Sequence, residues 1–329
     1  MKRSLVLSIV VMLGTATTLS AQSSSVDTVK TEIRSYVARN FSEARTFNLY
    51  WETSPTHDYT LKRDGDAYEK GKVRNEHAVK FAATVPILQK KKFSLYANGN
   101  AIFFQFETEN DLNGAASSMF KDNEENYSYF KGGLNGTYYT RLFNKTLMLS
   151  ASISGDGWYQ GFEQVEGTLT ALLILKRTAS TNISVGIHGT TLFDVLPGVP
   201  IVVFTHQFNP NWSVDITMPS RAYVRYQFCN NHRLSLGSSL EREMFYYKPN
   251  IDGMPETALF SRNSVKAELF YEYIINKRFY LIARGGATQP FMSGIYKTNR
   301  KGDDGKPLLE YTQPMTPFFY LGFSYNLFK

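Results

Sequence analysis

The sequence holds one cysteine in 329 residues, no glycine repeat, and no apolar run long enough for a helix to cross a membrane. Each absence excludes something. A single cysteine forms no intramolecular disulfide, so stability has to come from burial or from a closed hydrogen-bonded sheet. A hydrophobic content of 43% with 15% aromatic residues rules out a disordered or collagen-like chain. No phosphate loop, dinucleotide fingerprint or zinc spacing occurs, so no cofactor and no metal are expected. The lysines and arginines are scattered among acids, which makes no case for nucleic acid. Asp64-Gly65-Asp66 and Asp303-Asp304-Gly305 lack the twelve-residue ligand spacing of a calcium loop and read as turns.

What is present starts with a targeting signal. Lys2 and Arg3 precede a short apolar run, Leu5 to Leu13, and a small-residue stretch ends in Leu19-Ser20-Ala21 before Gln22. This is the order of a secretory signal peptide cleaved after Ala21, and the run is shorter than the ~20 residues a spanning helix needs. Removing residues 1–21 lowers the formal charge from +7 by the two cations Lys2 and Arg3, to +5. Residues 22–44 form an N-terminal segment with a possible short helix, since Val26, Val29, Ile33 and Val37 fall at helical spacing.

From there the period switches to two. Ile183, Val185 and Ile187 alternate with Asn182, Ser184, Gly186 and His188; Trp212, Val214, Ile216 and Met218 alternate with Ser213, Asp215 and Thr217. Each such segment has one apolar and one polar face. The same test predicts about fourteen strands (12 to 16), near 45–53, 73–87, 92–106, 125–142, 146–156, 165–177, 182–191, 200–208, 212–218, 221–228, 232–242, 262–275, 278–287 and 316–328. Short turns such as Phe143-Asn144-Lys145 and Asn209-Pro210-Asn211 alternate with long polar loops near 54–72, 107–124, 157–164, 192–199, 243–261 and 288–315. Only Pro219-Ser220-Arg221 is tight where a loop is expected.

An exported chain with so many half-apolar strands buries those faces against a second sheet or against lipid. In lipid every backbone N–H and C=O has to be paired internally, which only a closed barrel achieves. Trimmed turns at one end, long loops at the other, and Phe143, Phe208, Trp212, Phe228 and Phe279 beside the turns favour the second solution. The expected fold is all-β: a transmembrane antiparallel up-and-down β-barrel over residues 45–329, with short periplasmic turns and long external loops.

The last strand carries a resemblance. Phe319, Leu321, Phe323, Tyr325 and Leu327 share one face, and Phe328 precedes the final Lys329. This segment resembles the aromatic-rich closing strand of Gram-negative outer-membrane proteins. With Ser20-Ala21-Gln22 and the strand pattern, the mature chain resembles the small outer-membrane β-barrel proteins of Gram-negative bacteria, including the Bacteroidota type with a Gln start. The resemblance implies location in the outer membrane, contact with its lipid, and recognition by the barrel-assembly machinery through Phe319 to Phe328. It specifies no substrate.

The polar faces then define a lumen. Setting Met218 opposite Ala222 places Asp215 opposite Arg225, with Tyr223 on the same face. Setting Ile274 opposite Arg278 places Glu268 opposite Arg284 and Glu272 opposite Tyr280. These eight residues, Arg278 included, are the lumen-lining candidates. As a pore lining, Arg221, Arg225, Arg278 and Arg284 bias passage toward anions; as opposed pairs they neutralise one another and fill a wet interior. Among the five histidines, His188 and Ser184 share a face but lie about 13 Å apart, too far for proton transfer. His57-Asp58 falls in an expected external loop, reminiscent of the Asp-His pair of surface proteases. No catalytic residue is assigned. The expected function is passive passage of a small solute; the alternatives are a structural or assembly role with a closed lumen that binds a partner, and a surface hydrolase.

Overall fold

The computed structural model describes residues 42, 45–110, 120, 126–178, 180–191, 198–249, 253–276, 278–298 and 306–327. The expected signal peptide, the helix expected within 22–44, Asp303-Asp304-Gly305 and the terminal Phe328-Lys329 lie outside the described residues. Among the described residues sixteen strands run in order: β1 Phe47–Ser54, β2 His57–Arg63, β3 Asp66–Gln89, β4 Phe93–Asn110, β5 Asn126–Leu142, β6 Lys145–Trp158, β7 Gly161–Arg177, β8 Thr181–Thr190, β9 Val199–Gln207, β10 Trp212–Met218, β11 Arg221–Phe228, β12 His232–Tyr247, β13 Ala258–Ile274, β14 Phe279–Lys297, β15 Leu309–Thr312 and β16 Thr316–Tyr325.

Two pairs of these elements are single wall strands with a break. β1 and β2 both pair with β3, Ser54 opposite Glu76 and His57 opposite Val73. β15 and β16 both pair with β14. The wall therefore has fourteen strands, all antiparallel, and it closes where β1 meets β16. Along that seam the ladder runs to Thr53 opposite Phe319 and resumes at Thr60 opposite Thr312. Pro55, Pro314 and Pro317 fall in the unpaired stretch, where a residue without an N–H breaks the ladder.

Alternation decides which side meets solvent or lipid. Leu49, Trp51, Val79, Phe103, Leu149 and Leu169 are exposed on the outer face, and so are Val224, Leu236, Leu269, Phe319 and Leu321. Their neighbours in sequence, including Asn48, Glu52, Lys80, Tyr223 and Glu268, are buried inside. A band of exposed Leu, Val and Phe encircling a closed sheet, with buried charges within, is stable in lipid and not in water. Aromatic residues ring the end with short turns: Phe143 and Phe208 are exposed, Trp212 packs on Tyr226 at 4.7 Å, and Phe279 packs on Tyr325 at 4.7 Å. Among the described residues no helix is long and apolar enough to cross a membrane, which says nothing about crossing by strands.

Several expected loops are instead upward continuations of strands. Residues 57–63 and 309–312 are β2 and β15, inside the loops expected at 54–72 and 288–315. The loop expected at 157–164 is a hairpin in which Trp158 faces Gly161. Asp64 and Gly65 close the β2–β3 hairpin with φ of 51° and 93°, the left-handed pair that a two-residue turn demands. The wall is consequently uneven. β3 has 24 residues, whereas β10 has 7 and β11 has 8.

Both proposed registers are displaced by two residues. Asp215 faces Tyr223, and Ser213 faces Arg225, because the ladder ends at Thr217 opposite Arg221 and Met218-Pro219-Ser220 makes the turn. Ile274 faces Tyr280, so Glu268 faces Gly286, Phe270 faces Arg284 and Glu272 faces Ile282. A two-residue displacement keeps every side chain on its face, which is why the inside–outside assignment survives the shift.

Candidate functional site

The interior is layered, and each layer follows from which polar position of each strand reaches it. Nearest the short turns, Glu272 of β13 accepts from Arg233 of β12 at 2.5 Å and from Arg45, which precedes β1. Arg45 also lies over the Tyr280 ring, 3.6 Å from its centroid. Asp215, 3% exposed, accepts from Arg225 at 2.9 Å and lies 3.3 Å from Arg221 Nε. Glu268 accepts from the Tyr223 hydroxyl, from Ser239 at 2.9 Å, and lies 3.7 Å from Arg284. Arg284 in turn stacks over Phe270 at 4.1 Å and donates to Ser42 at 2.8 Å.

The next layer spans the lumen. Lys80 of β3 donates to Glu52 of β1 at 2.7 Å and to Glu241 and Glu243 of β12 at 2.6 Å each. Lys266 of β13 pairs with Glu52 and with Glu241. Arg262 bridges Glu76 at 2.5 Å and Glu243 at 2.6 Å. The carboxylates of Glu52, Glu241 and Glu243 lie within 4.8 Å of one another, close enough for a metal. Two ammonium groups already stand among them, so their charge is met by lysine.

Above this layer the tall strands lean together. In β12 the run Glu243 to Tyr247 is buried at every position, and so is Ala258 to Ser261 of β13, because both faces of this hairpin are covered. Phe245 packs on Tyr127 of β5 at 4.4 Å, on Phe260 at 4.8 Å and on Phe104 of β4 at 5.5 Å. Phe120, from the segment between β4 and β5, lies 5.8 Å from Tyr59 and 5.8 Å from Tyr247. The buried Asp156 of β6 ties the arrangement across the mouth. It accepts from Tyr246 of β12 and from Tyr129 of β5, each at 2.8 Å. These aromatic side chains form a cap over the lumen at the loop end.

The wall from β4 to β8 differs. Its inner face carries small uncharged polar groups, with Asn135 donating to Ser150 at 3.1 Å, Ser152 against Thr168 at 2.6 Å and Thr170 against His188 at 2.7 Å. Lys131 is paired with Glu166. A cavity of about 340 Å³ is lined there by Asn98, Asn100, Lys131, Ser152, Ser154 and Thr168.

Seven of the eight lumen-lining candidates lie in the turn-end layer: Asp215, Tyr223, Arg225, Glu268, Glu272, Tyr280 and Arg284 are joined there by direct contacts. Arg278 is half-buried at the β13–β14 turn, where its backbone N–H donates to Asn276. His57 is buried in β2 rather than in a loop, its Nδ1 3.0 Å from the Pro55 carbonyl and its Nε2 3.8 Å from Glu76. Sequence reasoning missed Glu52, Lys80, Glu241 and Lys266. Each sits at a polar position of an expected strand, so its face was readable, but pairing across the lumen joins strands far apart in sequence.

The sequence of residues 116–290, more than half of the chain, matches the family described as Domain of unknown function (DUF6268). The chain belongs to the DUF6268 family. No curated protein matches it. Among solved structures, the DUF6268 chain is similar to the COG4313 outer membrane channel from Pseudomonas putida F1, at 8% identity over 85% of this chain and 94% of that one, with a TM-score of 0.39. It is also similar to the Pseudomonas putida toluene transporter TodX, at 10% identity over 86% and 89%, TM-score 0.30. A third is the transport unit of the autotransporter AIDA-I from Escherichia coli, at 8% identity over 93% and 100%, TM-score 0.32. The barrel assignment of the DUF6268 chain stands on its own strand register.

Proposed function

We propose that this chain is an outer-membrane β-barrel channel for small uncharged polar solutes, closed at its loop end by the aromatic cap. The observation that carries the reading is the division of the interior. Charges are concentrated in the layers built by β1, β3 and β10–β14, where they neutralise one another, and the β4–β8 wall offers hydroxyl and amide groups around a cavity of about 340 Å³. A solute with several hydroxyls exchanges its water for such a wall at little cost, whereas an ion finds no unbalanced charge to replace its hydration. Of the two readings of the arginines, an anion-selective lining and a neutralised interior, the second is favoured, because Arg221 and Arg225 share Asp215 and Arg284 lies 3.7 Å from Glu268. Residues 1–21 act as the export signal, and the outward Phe319, Leu321 and Phe323 of β16 serve recognition by the assembly machinery.

The cap supports a second reading, an envelope protein whose lumen stays shut and whose external hairpins bind a partner. Swelling of proteoliposomes separates the two. Entry of monosaccharide-sized solutes at a rate above protein-free vesicles supports the channel; well-folded, inserted protein that admits neither sugars nor ions leaves the structural role.

A further inference from the structure

The outer wall of β4–β8 carries a feature that the lumen does not explain. Here the lipid-facing band is hollowed. Gly136 and Ala151 are neighbours across β5 and β6, followed by Leu169 on β7 and Gly189 on β8. Tyr138 and Leu149 stand on one side of this row, and Leu134 and Ile153 on the other, all four exposed. The result is a trough of about 970 Å³, at the top of the range of about 300–1,000 Å³ for ligand pockets. It crosses from Phe93 on β4 to Ile187 on β8, four strand spacings or roughly 19 Å at about 4.8 Å each.

The foot of the same strands is basic. The three adjacent turns β3–β4, β5–β6 and β7–β8 contain Lys91, Lys92, Arg141, Lys145 and Lys176 without an aspartate or glutamate among them, whereas the next turns, Asn209-Pro210-Asn211 and Cys229-Asn230-Asn231, carry no charge. Two of the cations are aimed by the sheet itself. Lys145 lies opposite Leu142 and shares the outward parity of Leu149. Lys176 owes its orientation to a bulge. The register slips between Ile174 and Lys176, so Lys176 faces Ile183 and joins the outer face. Along the strands, Lys145 lies about 13 Å from Leu149 and Lys176 about 17 Å from Ala171.

We propose that this trough and its basic foot form a binding site for one anionic phospholipid of the leaflet at the turn end. An acyl chain fills the trough over Gly136 and Ala151, and the phosphate lies against Lys145 and Lys176. The complementarity of charge and the girdle of Phe143, Phe208 and Trp212 at the same level place the headgroup where a bilayer phosphate sits. The proposal rests on the membrane reading above.

Native mass spectrometry of the full detergent-purified chain with added phosphatidylglycerol or phosphatidylcholine tests it. Each basic residue beside an anionic headgroup is worth about fivefold, so wild type retains phosphatidylglycerol over phosphatidylcholine, and Lys145→Ala with Lys176→Ala lowers that preference roughly 25-fold. Gly136→Leu with Ala151→Leu fills the trough and removes both lipids; if that variant does not fold, the exposed lysine pair still decides the matter. Equal retention of the two lipids, or unchanged preference in the lysine variant, overturns the site. A dimer mass that disappears when the trough is filled assigns it to a second copy and also overturns the lipid. A chain that neither shifts on boiling nor enters liposomes fails the membrane reading instead, and so the two failures are distinct.

Discussion

Lys80 is the side chain whose loss the cross-lumen network is least able to absorb. Its Nζ lies within 2.7 Å of carboxylates on two strands from opposite sides of the seam, Glu52 on β1 and Glu241 and Glu243 on β12. Those three carboxylates lie within 4.8 Å of one another. At an effective dielectric constant of about 20, each pair repels by roughly 3.5 kcal/mol at that separation. Lys266 and Arg262 offset part of this, since they touch Glu52, Glu241 and Glu243 from the other side. Removing one partner of a buried ion pair costs about 3–5 kcal/mol, and Lys80→Met is expected to cost that much in stability. The assay is urea unfolding in detergent micelles, followed by the gel shift between folded and boiled forms. Lys80→Met combined with Glu241→Gln removes one repelling charge along with the lysine and is expected to recover about half of the loss. An unchanged midpoint in Lys80→Met, or a double variant weaker than the sum of its parts, refutes the reasoning.

Three further expectations follow from other layers. Asp215→Ala leaves Arg225 and Arg221 without their shared carboxylate and is expected to cost about 3–5 kcal/mol in the same unfolding assay. Leu236, 65% exposed on the outer face, lies in the apolar band; Leu236→Arg is expected to cost about 2–4 kcal/mol of stability in liposomes, and a neutral effect there counts against lipid contact. Tyr246→Phe with Tyr129→Phe removes both tyrosine hydrogen bonds to Asp156, leaving the one from Gln164, and is expected to raise sugar uptake by proteoliposomes, with the folded fraction measured in parallel. An unchanged rate places the gate somewhere other than the cap.

The periodicity of two carried most of the architecture. The alternation of Trp212, Val214 and Ile216 with Ser213 and Asp215 already assigns each residue its face, because that property is local. Register was less legible. Both hairpins are displaced by two from the expected register, since a turn at Met218-Pro219-Ser220 and a wider one after Ile274 keep the same parity as the expected turns, and no pattern in the sequence distinguishes them. The strand extensions at the loop end differ from the expected loops for a related reason. Residues 57–63 and 309–312 are polar enough to resemble loops, and they become strands only because β3 and β14 stand beside them. The network of Lys80 with Glu241 joins residues on facing walls. No local pattern records such a pairing, although the polar parity of each member was visible from the start.

The most direct test of the account is solute uptake by proteoliposomes containing folded, heat-modifiable protein. Slow entry of neutral sugars, weak conductance of both cations and anions, and faster sugar entry once the Tyr246 and Tyr129 hydroxyls are removed are the expected results. A steady ion-selective conductance with no passage of sugars would contradict the assignment of the β4–β8 wall, whose Lys131 and Glu166 neutralise each other, as the path.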